Sequence, residues 1–203
     1  VIAVALLITV LAVMNGFEHE LRTRILRVVP AITLYPKEGD IDEWKAKALV
    51  VLRNKSIMAA SPLIEAQGLL VMGSSAEPVM LFATDPEAES RLSQFQEFTD
   101  VAAWQAWRSD ARSVLVSRKM AEKLAIQPGQ TAVVMLPGAG DQQAEPSALS
   151  MRVAGLYETG TEIDNHLVVA QLPLLQQYYG IDGVAAIRFT IDNWLDADEI
   201  AWQ

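Results

Sequence analysis

The chain contains no cysteine, which excludes disulfide frameworks, thiolate metal sites and cysteine nucleophiles together. Positive charge is also short: 16 Lys and Arg stand against 25 Asp and Glu, a net charge of −9. A surface of that sign repels phosphate backbones, so no nucleic-acid partner is expected. A phosphate-cradling loop is missing as well. Gly138 and Gly140 lie in a loop with no following Gly-Lys-Ser/Thr, so no ATP site is expected. His19-Glu20 opens like a zincin motif, but Thr23 stands where the second histidine ligand belongs. What is abundant is apolar surface: 51% of the 203 residues are hydrophobic and 20% charged, a composition that folds rather than staying disordered.

The chain opens on Val1 inside an apolar run to Met14 that only Thr9 interrupts. Fourteen helical residues rise about 21 Å, short of the roughly 30 Å hydrocarbon core. The run therefore reads as the truncated end of a membrane span in a fragment, or else as a buried core helix. Met14-Asn15-Gly16-Phe17 supplies no small-residue cleavage pattern, which argues against a signal peptide. Charges begin at Glu18, yet Val10, Met14, Phe17, Leu21 and Ile25 keep helical spacing on one face until Pro30 stops the helix. Such a stripe either continues a hydrophobic surface out of the bilayer or is packed on the rest of the domain.

Downstream, strands and helices mix. Ala31 to Tyr35 reads as a strand, and Asp40 with Glu43 as a capping box for a helix with Trp44, Ala48, Val51 and Leu52 on one face. Further strands are expected at Ile57 to Ala60, Leu63 to Met72 and Val79 to Ala83, with turn formers at Gly73-Ser74-Ser75 and Pro78. Asp85-Pro86 starts a polar helical stretch. A strand at Ser113 to Val116, a helix capped by Ser117 and running to Ala125, and a strand at Thr131 to Leu136 follow. Pro137 to Ser150 reads as a projecting solvated loop. Strands at Met151 to Tyr157 and Leu167 to Ala170 precede a helix with Pro173 in its first turn and Gly180 at its end. Ile187, Phe189 and Ile191 alternate with Arg188 and Thr190, as in a strand with one face buried.

Chemistry-bearing clusters are few. Glu162, Asp164 and His166 form an acid-histidine group, but no nucleophile motif accompanies them, and a polar loop entering a strand explains the same residues. Trp104 and Trp107 have the spacing of a pair that packs a short helix on a sheet. No catalytic residue, cofactor or metal site is expected.

Five segments carry a family resemblance: VMNGFEHELRTRILRVVP, SPLIEAQGLL, VLVSRKMAEKLAIQPGQTAVVMLP, RVAGLYETGTEIDNHLVVAQLPLLQQYY and VAAIRFTI. Together they resemble the LolC/LolE family of lipoprotein-releasing ABC-transporter permeases, which is related more distantly to MacB and FtsX. The resemblance implies an α+β periplasmic domain in two parts, between the first and second membrane spans of an inner-membrane permease. Residues 1–28 would be the end of the first span and its extension. Residues 29–62 and 166–203 would form a porter-like βαβ subdomain, truncated at its end, and residues 63–165 a β-rich, sabre-like insertion. The implied function is to extract acylated lipoproteins from the inner membrane for the carrier LolA, beside a LolC-like permease partner and a LolD-like ATPase. The permease itself would be non-catalytic. Acyl-chain contact would fall to Val10, Met14, Phe17, Leu21 and Ile25. The loop from Pro137 to Ser150 has only Pro146 inside it, unlike the proline-bearing hook of LolC-type sequences, so a LolE type with indirect LolA contact is expected. The alternatives are a MacB- or FtsX-like permease working in efflux or mechanical signalling, and a soluble enzyme or binding module with a hydrophobic first helix.

Overall fold

The computed structural model describes residues 32–138 and 145–191. Among these residues eight strands carry the fold: β1 (Ile32–Leu34), β2 (Ile57–Met72), β3 (Ser75–Thr84), β4 (Ser113–Ser117), β5 (Thr131–Leu136), β6 (Ser147–Tyr157), β7 (Leu167–Gln171) and β8 (Ala186–Ile191). Five helices connect them: α1 (Trp44–Val51), α2 (Pro86–Leu92), α3 (Val101–Ser109), α4 (Arg118–Leu124) and α5 (Leu172–Tyr179). This is the α+β content expected, and its organising element is β2.

That strand runs for 16 residues through Ser61-Pro62, where the sequence suggested two shorter strands. Its first half pairs antiparallel with β8, ending at Leu63↔Ala186, and β8 pairs on its other side with β1. From Ile64 onward β2 pairs with β3 instead, through a hairpin whose two-residue turn, Gly73-Ser74, has Gly73 at φ +60°. The order then runs β2-β3-β7-β4-β6-β5, and a further β2–β5 pairing at Leu69 to Val71 closes these six strands into a ring. Among the described residues only the β3–β7 and β4–β6 pairings are parallel. β2 thus changes partner between residues 63 and 64, and β7 pairs with β3 and β4 inside the ring. Pro78 lies within β3, beyond the stretch that pairs with β7, where one side of the strand is an edge and a missing N–H is tolerated.

Alternate residues of the ring strands, among them Leu70, Leu81, Val116, Val134, Val153 and Val168, are fully buried in one core, which α4 joins through Met120 and Leu124 and α5 through Leu174 and Leu175. Gly68 marks the closest approach of β2 and β5: a Cβ there would meet the Met135 carbonyl oxygen at 2.6 Å. Glycine is required by contact, not by its dihedral angles.

Several local expectations hold. Ser117 caps α4 by accepting from the Met120 N–H at 3.1 Å. Asp85 caps α2 through the Glu87 and Ala88 N–H groups, and Gly180 ends α5 with φ +66°. Three differ. The Asp40-Glu43 capping box does not form, because the Asp40 carboxylate accepts from the Gly183 N–H at 3.1 Å and Glu43 occupies the cap position with φ 46°. The 137–150 loop is shorter than expected, since Ser147 to Ser150 pair with β5 and belong to β6. Arg188 does not face solvent: both faces of β8 are covered, and Arg188 is 2% exposed.

Candidate functional site

A buried charge needs a partner, and Arg188 has one. In the β2–β8 register it stands opposite Ser61. On that face α2 follows β3 immediately, so its Glu89 is brought over the same strands, 99 residues away in sequence. Arg188 Nη2 donates to Glu89 Oε2, to Ser61 Oγ at 3.3 Å and to Thr84 Oγ1 at 3.2 Å. Thr84 Oγ1 also donates to the Pro62 carbonyl at 2.9 Å, and Ser93 Oγ donates to Glu89 Oε1 at 2.7 Å. The guanidinium lies 4.3 Å from the centre of the Phe82 ring, a cation–π distance. Burial, the largest influence, pushes the Glu89 carboxyl up. The Arg188 charge and the hydrogen bonds from Arg188, Ser93 and Thr84 outweigh it and leave the group below the usual carboxylate range. The network sits where β2 leaves one pairing partner for the other, and ties β8, β2, β3 and α2 together. Arg188 Nε is buried without a hydrogen-bond partner among the described residues.

Next to this pair the outer face of the ring carries side chains in register. One row runs Glu65, Phe82, Val169, Leu115, and the next runs Gln67, Met80, Leu167. Aromatic residues cover the far end of the first row. Phe95 packs tilted against Tyr157 at 4.8 Å between ring centres, and Trp104 and Trp107, also 4.8 Å apart, fix α3 on the wall. The fit is close: a Cβ at Gly155 on β6 would stand 2.1 Å from the Ala103 Cβ. The cover stops short of the β2–β3 end. There a cavity of about 210 Å³ opens, lined by Met80, Phe82, Phe95, Ile163, Leu167 and Val169, with Glu65 and His166 beside it and the Arg188–Glu89 pair lining it too. A second depression of about 250 Å³, lined by Gln67, Gly68, Pro78 and Val79, shares Met80 and His166 with the first.

The residues singled out from sequence fare differently. Val10, Met14, Phe17, Leu21 and Ile25 lie outside the described residues, as does the His19-Glu20 pair. Among the described residues no helix is long and apolar enough to cross a membrane. Trp104 and Trp107 are 2% and 0% exposed and pack α3 on the sheet, as their spacing suggested. The acid-histidine group does not act as one unit. The Asp164 carboxylate is occupied by the Thr159 N–H, the Thr159 hydroxyl and the Gly160 N–H, Glu162 accepts from Asn165, and His166 is exposed. Sequence reasoning missed the Arg188–Glu89 network. Its one local signal is an arginine flanked by Ile187 and Phe189, but nothing in the sequence points to Glu89. The trough had a better signal, since Val79 to Ala83 is apolar at both strand parities and so announces two covered faces.

A long strand shared between a small antiparallel sheet and a six-stranded ring defines the fold. The extracellular domain of the noncanonic ABC-type transporter YknZ from Gram-positive bacteria shares the fold, with TM-score 0.51 over 83% of this chain and 86% of that one at 13% identity. The chain belongs to the MacB-like periplasmic core domain family, whose profile matches residues 1–195. It is similar to the lipoprotein-releasing system transmembrane protein LolC of Xylella fastidiosa (strain 9a5c), 27% identical over 98% of this chain and 49% of that protein. LolE of Haemophilus influenzae is 26% identical over 95% of this chain and 48% of that protein. The chain spans about half the length of the curated relatives it matches. Identities this close do not separate the LolC from the LolE branch.

Proposed function

We propose that this chain is the periplasmic domain of an inner-membrane permease that extracts acylated lipoproteins for transfer to LolA, and that it is of the LolE type. The similarity to LolC and LolE over nearly the whole chain carries this reading, and the expected absence of a LolC-type hook in the 137–150 loop favours LolE. The permease works with a LolC-like partner and takes its energy from ATP hydrolysis on a LolD-like subunit, since each CH₂ leaving the bilayer costs about 0.8 kcal/mol. Residues 1–28 continue the first span. The porter-like and sabre-like parts follow the division at residues 29–62, 63–165 and 166–203, the ring drawing β3, β4, β5 and β6 from the second segment and β7 from the third.

In this reading Val10, Met14, Phe17, Leu21 and Ile25 line the path of the acyl chains. Their spacing of four, three, four and four keeps them on one helical face while the flanking surface turns charged at Glu18. A photocrosslinker at position 14, 17 or 21 of the complete protein is expected to capture a triacylated lipoprotein, and Met14→Asp or Phe17→Asp to stop release from spheroplasts without dissolving the complex. Crosslinks arising only from Thr23 or Arg27 overturn the assignment of the stripe. Unimpaired lipoprotein release after depletion of the protein overturns the function, and points to the efflux or signalling class instead.

A further inference from the structure

The trough on the outer wall is independent of the stripe and of lipoprotein release. Its two depressions, about 210 and 250 Å³, lie side by side along the β2–β3 hairpin and meet at Met80 and His166. Each is below the 300–1,000 Å³ typical of pockets for compact, drug-sized ligands. Two small apolar depressions joined past a flexible methionine suit a narrow, linear occupant, because the thioether side chain adapts at low cost to what crosses it. Phe82, Leu167 and Val169 supply dispersion contacts along the first depression, and Pro78 along the second.

Charge decides the head group. Among the described residues Arg188 is the one Lys or Arg lining either depression, and its charge is already committed to Glu89 inside the protein. Glu65 is exposed at the rim, directly across β2–β3 from Phe82. A carboxylate or phosphate head would therefore meet a negative rim with no free Lys or Arg among the described residues to receive it, in a chain of net charge −9. A neutral head meets no such penalty, and Gln67 and His166 can hydrogen-bond to it.

We propose that this trough binds a single unbranched alkyl chain with a neutral polar head, of the ester, amide or alcohol class. The test uses the complete protein in nanodiscs with methyl-¹³C methionine, the Met80 resonance being assigned from a Met80→Leu variant. Octanamide, octanoate and the peptide Lys-Leu-Ser-Leu-Lys are titrated separately. The result expected is a saturable shift of the Met80 methyl with octanamide, and binding of octanoate weaker by about tenfold or more, the size of one unfavourable charge contact. Ile163→Trp, which fills the mouth from a half-buried turn, is expected to weaken octanamide about fivefold or more. Glu65→Lys, an exposed change that leaves the core intact, is expected to bring octanoate within about threefold of octanamide. Any of these results overturns the proposal: no saturable shift with octanamide, octanoate binding as tightly as octanamide to the unaltered protein, octanamide binding that Ile163→Trp leaves unchanged, or octanoate binding that Glu65→Lys leaves unchanged. Saturation by the peptide at lower concentration than octanamide also overturns it and makes the trough a protein-docking groove. None of these outcomes bears on lipoprotein release, which the crosslinking experiment tests separately.

Discussion

Arg188 and Glu89 form a buried ion pair, and such a pair has a distinctive response to mutation. At 2% and 4% exposure neither group is hydrated. Removing one partner strands the other charge, which costs about 3–5 kcal/mol, whereas replacing both with neutral groups removes the charge and its desolvation together. Arg188→Met leaves Glu89 with only the Ser61, Thr84 and Ser93 hydroxyls. Glu89→Gln leaves the guanidinium over Phe82 with neutral partners. Each single variant is expected to lose about 3–5 kcal/mol, and the double variant to lose less than the sum by about 2–3 kcal/mol, the upper range for contacting pairs. Urea unfolding of the unaltered chain, the two singles and the double measures this. At about 2–4 °C per kcal/mol for a chain of this size, melting curves resolve the same differences. The pH dependence gives a second reading. Glu89 is held below the ordinary carboxylate range, so its contribution is fully present above that range and is lost as pH falls through the lowered value. In Arg188→Met the stranded carboxyl titrates upward instead, so the penalty relative to the unaltered chain is expected to shrink on acidification towards pH ~4. Additive losses, or a penalty independent of pH, refute the pair as a coupled electrostatic unit.

Other outcomes follow from contacts already described. Gly155→Ala is expected to cost about 1–3 kcal/mol by overpacking against Ala103, and Ala103→Gly in the same chain to recover most of it; denaturant midpoints decide. Burial, followed by the nearby Asp164 charge, raises the Tyr157 phenol well above its ordinary value. Its contribution is therefore intact below pH ~10, where the unfolded chain begins to ionise, and declines above it. Tyr157→Phe is expected to flatten that alkaline decline. It also loses about 1 kcal/mol or more near neutrality, since the 2.7 Å bond to the Leu167 carbonyl goes with the hydroxyl.

How much of this was legible in the sequence depends on the range of the interaction. Caps and turns are local: Ser117, Asp85 and Gly180 each satisfy or free backbone within a few residues, and they fall where the sequence puts them. Asp40 shows how a local rule fails. Its capping pattern is sound, but the Gly183 N–H, 143 residues on, competes for the same carboxylate and wins. β2 failed for a related reason. Ser61-Pro62 looks like a break, yet that segment is buried and paired to β8 on one side, and Pro62 accepts from Thr84 through its carbonyl. Arg188 followed a period-two pattern that correctly named a strand and wrongly named its solvent face, because period two cannot count how many faces a fold covers.

The same limit explains where the candidate chemistry lies. The residues selected from sequence for acyl-chain contact are all apolar and close in sequence, since periodicity detects only stripes within one element. The trough and the ion pair beneath it need four strands, α2 and a turn to exist at all, and no window of sequence contains them. Both features flank the point where β2 changes partners, so they share a structural cause. A strand that serves two sheets must turn its faces from one core to another, and at the turn neither core covers it completely. On one side the gap is closed by a satisfied ion pair, which fixes the geometry through directional bonds rather than through apolar contact. On the other side the aromatic cover ends and apolar wall is left in contact with solvent. The Met80 titration decides whether anything lies in the trough.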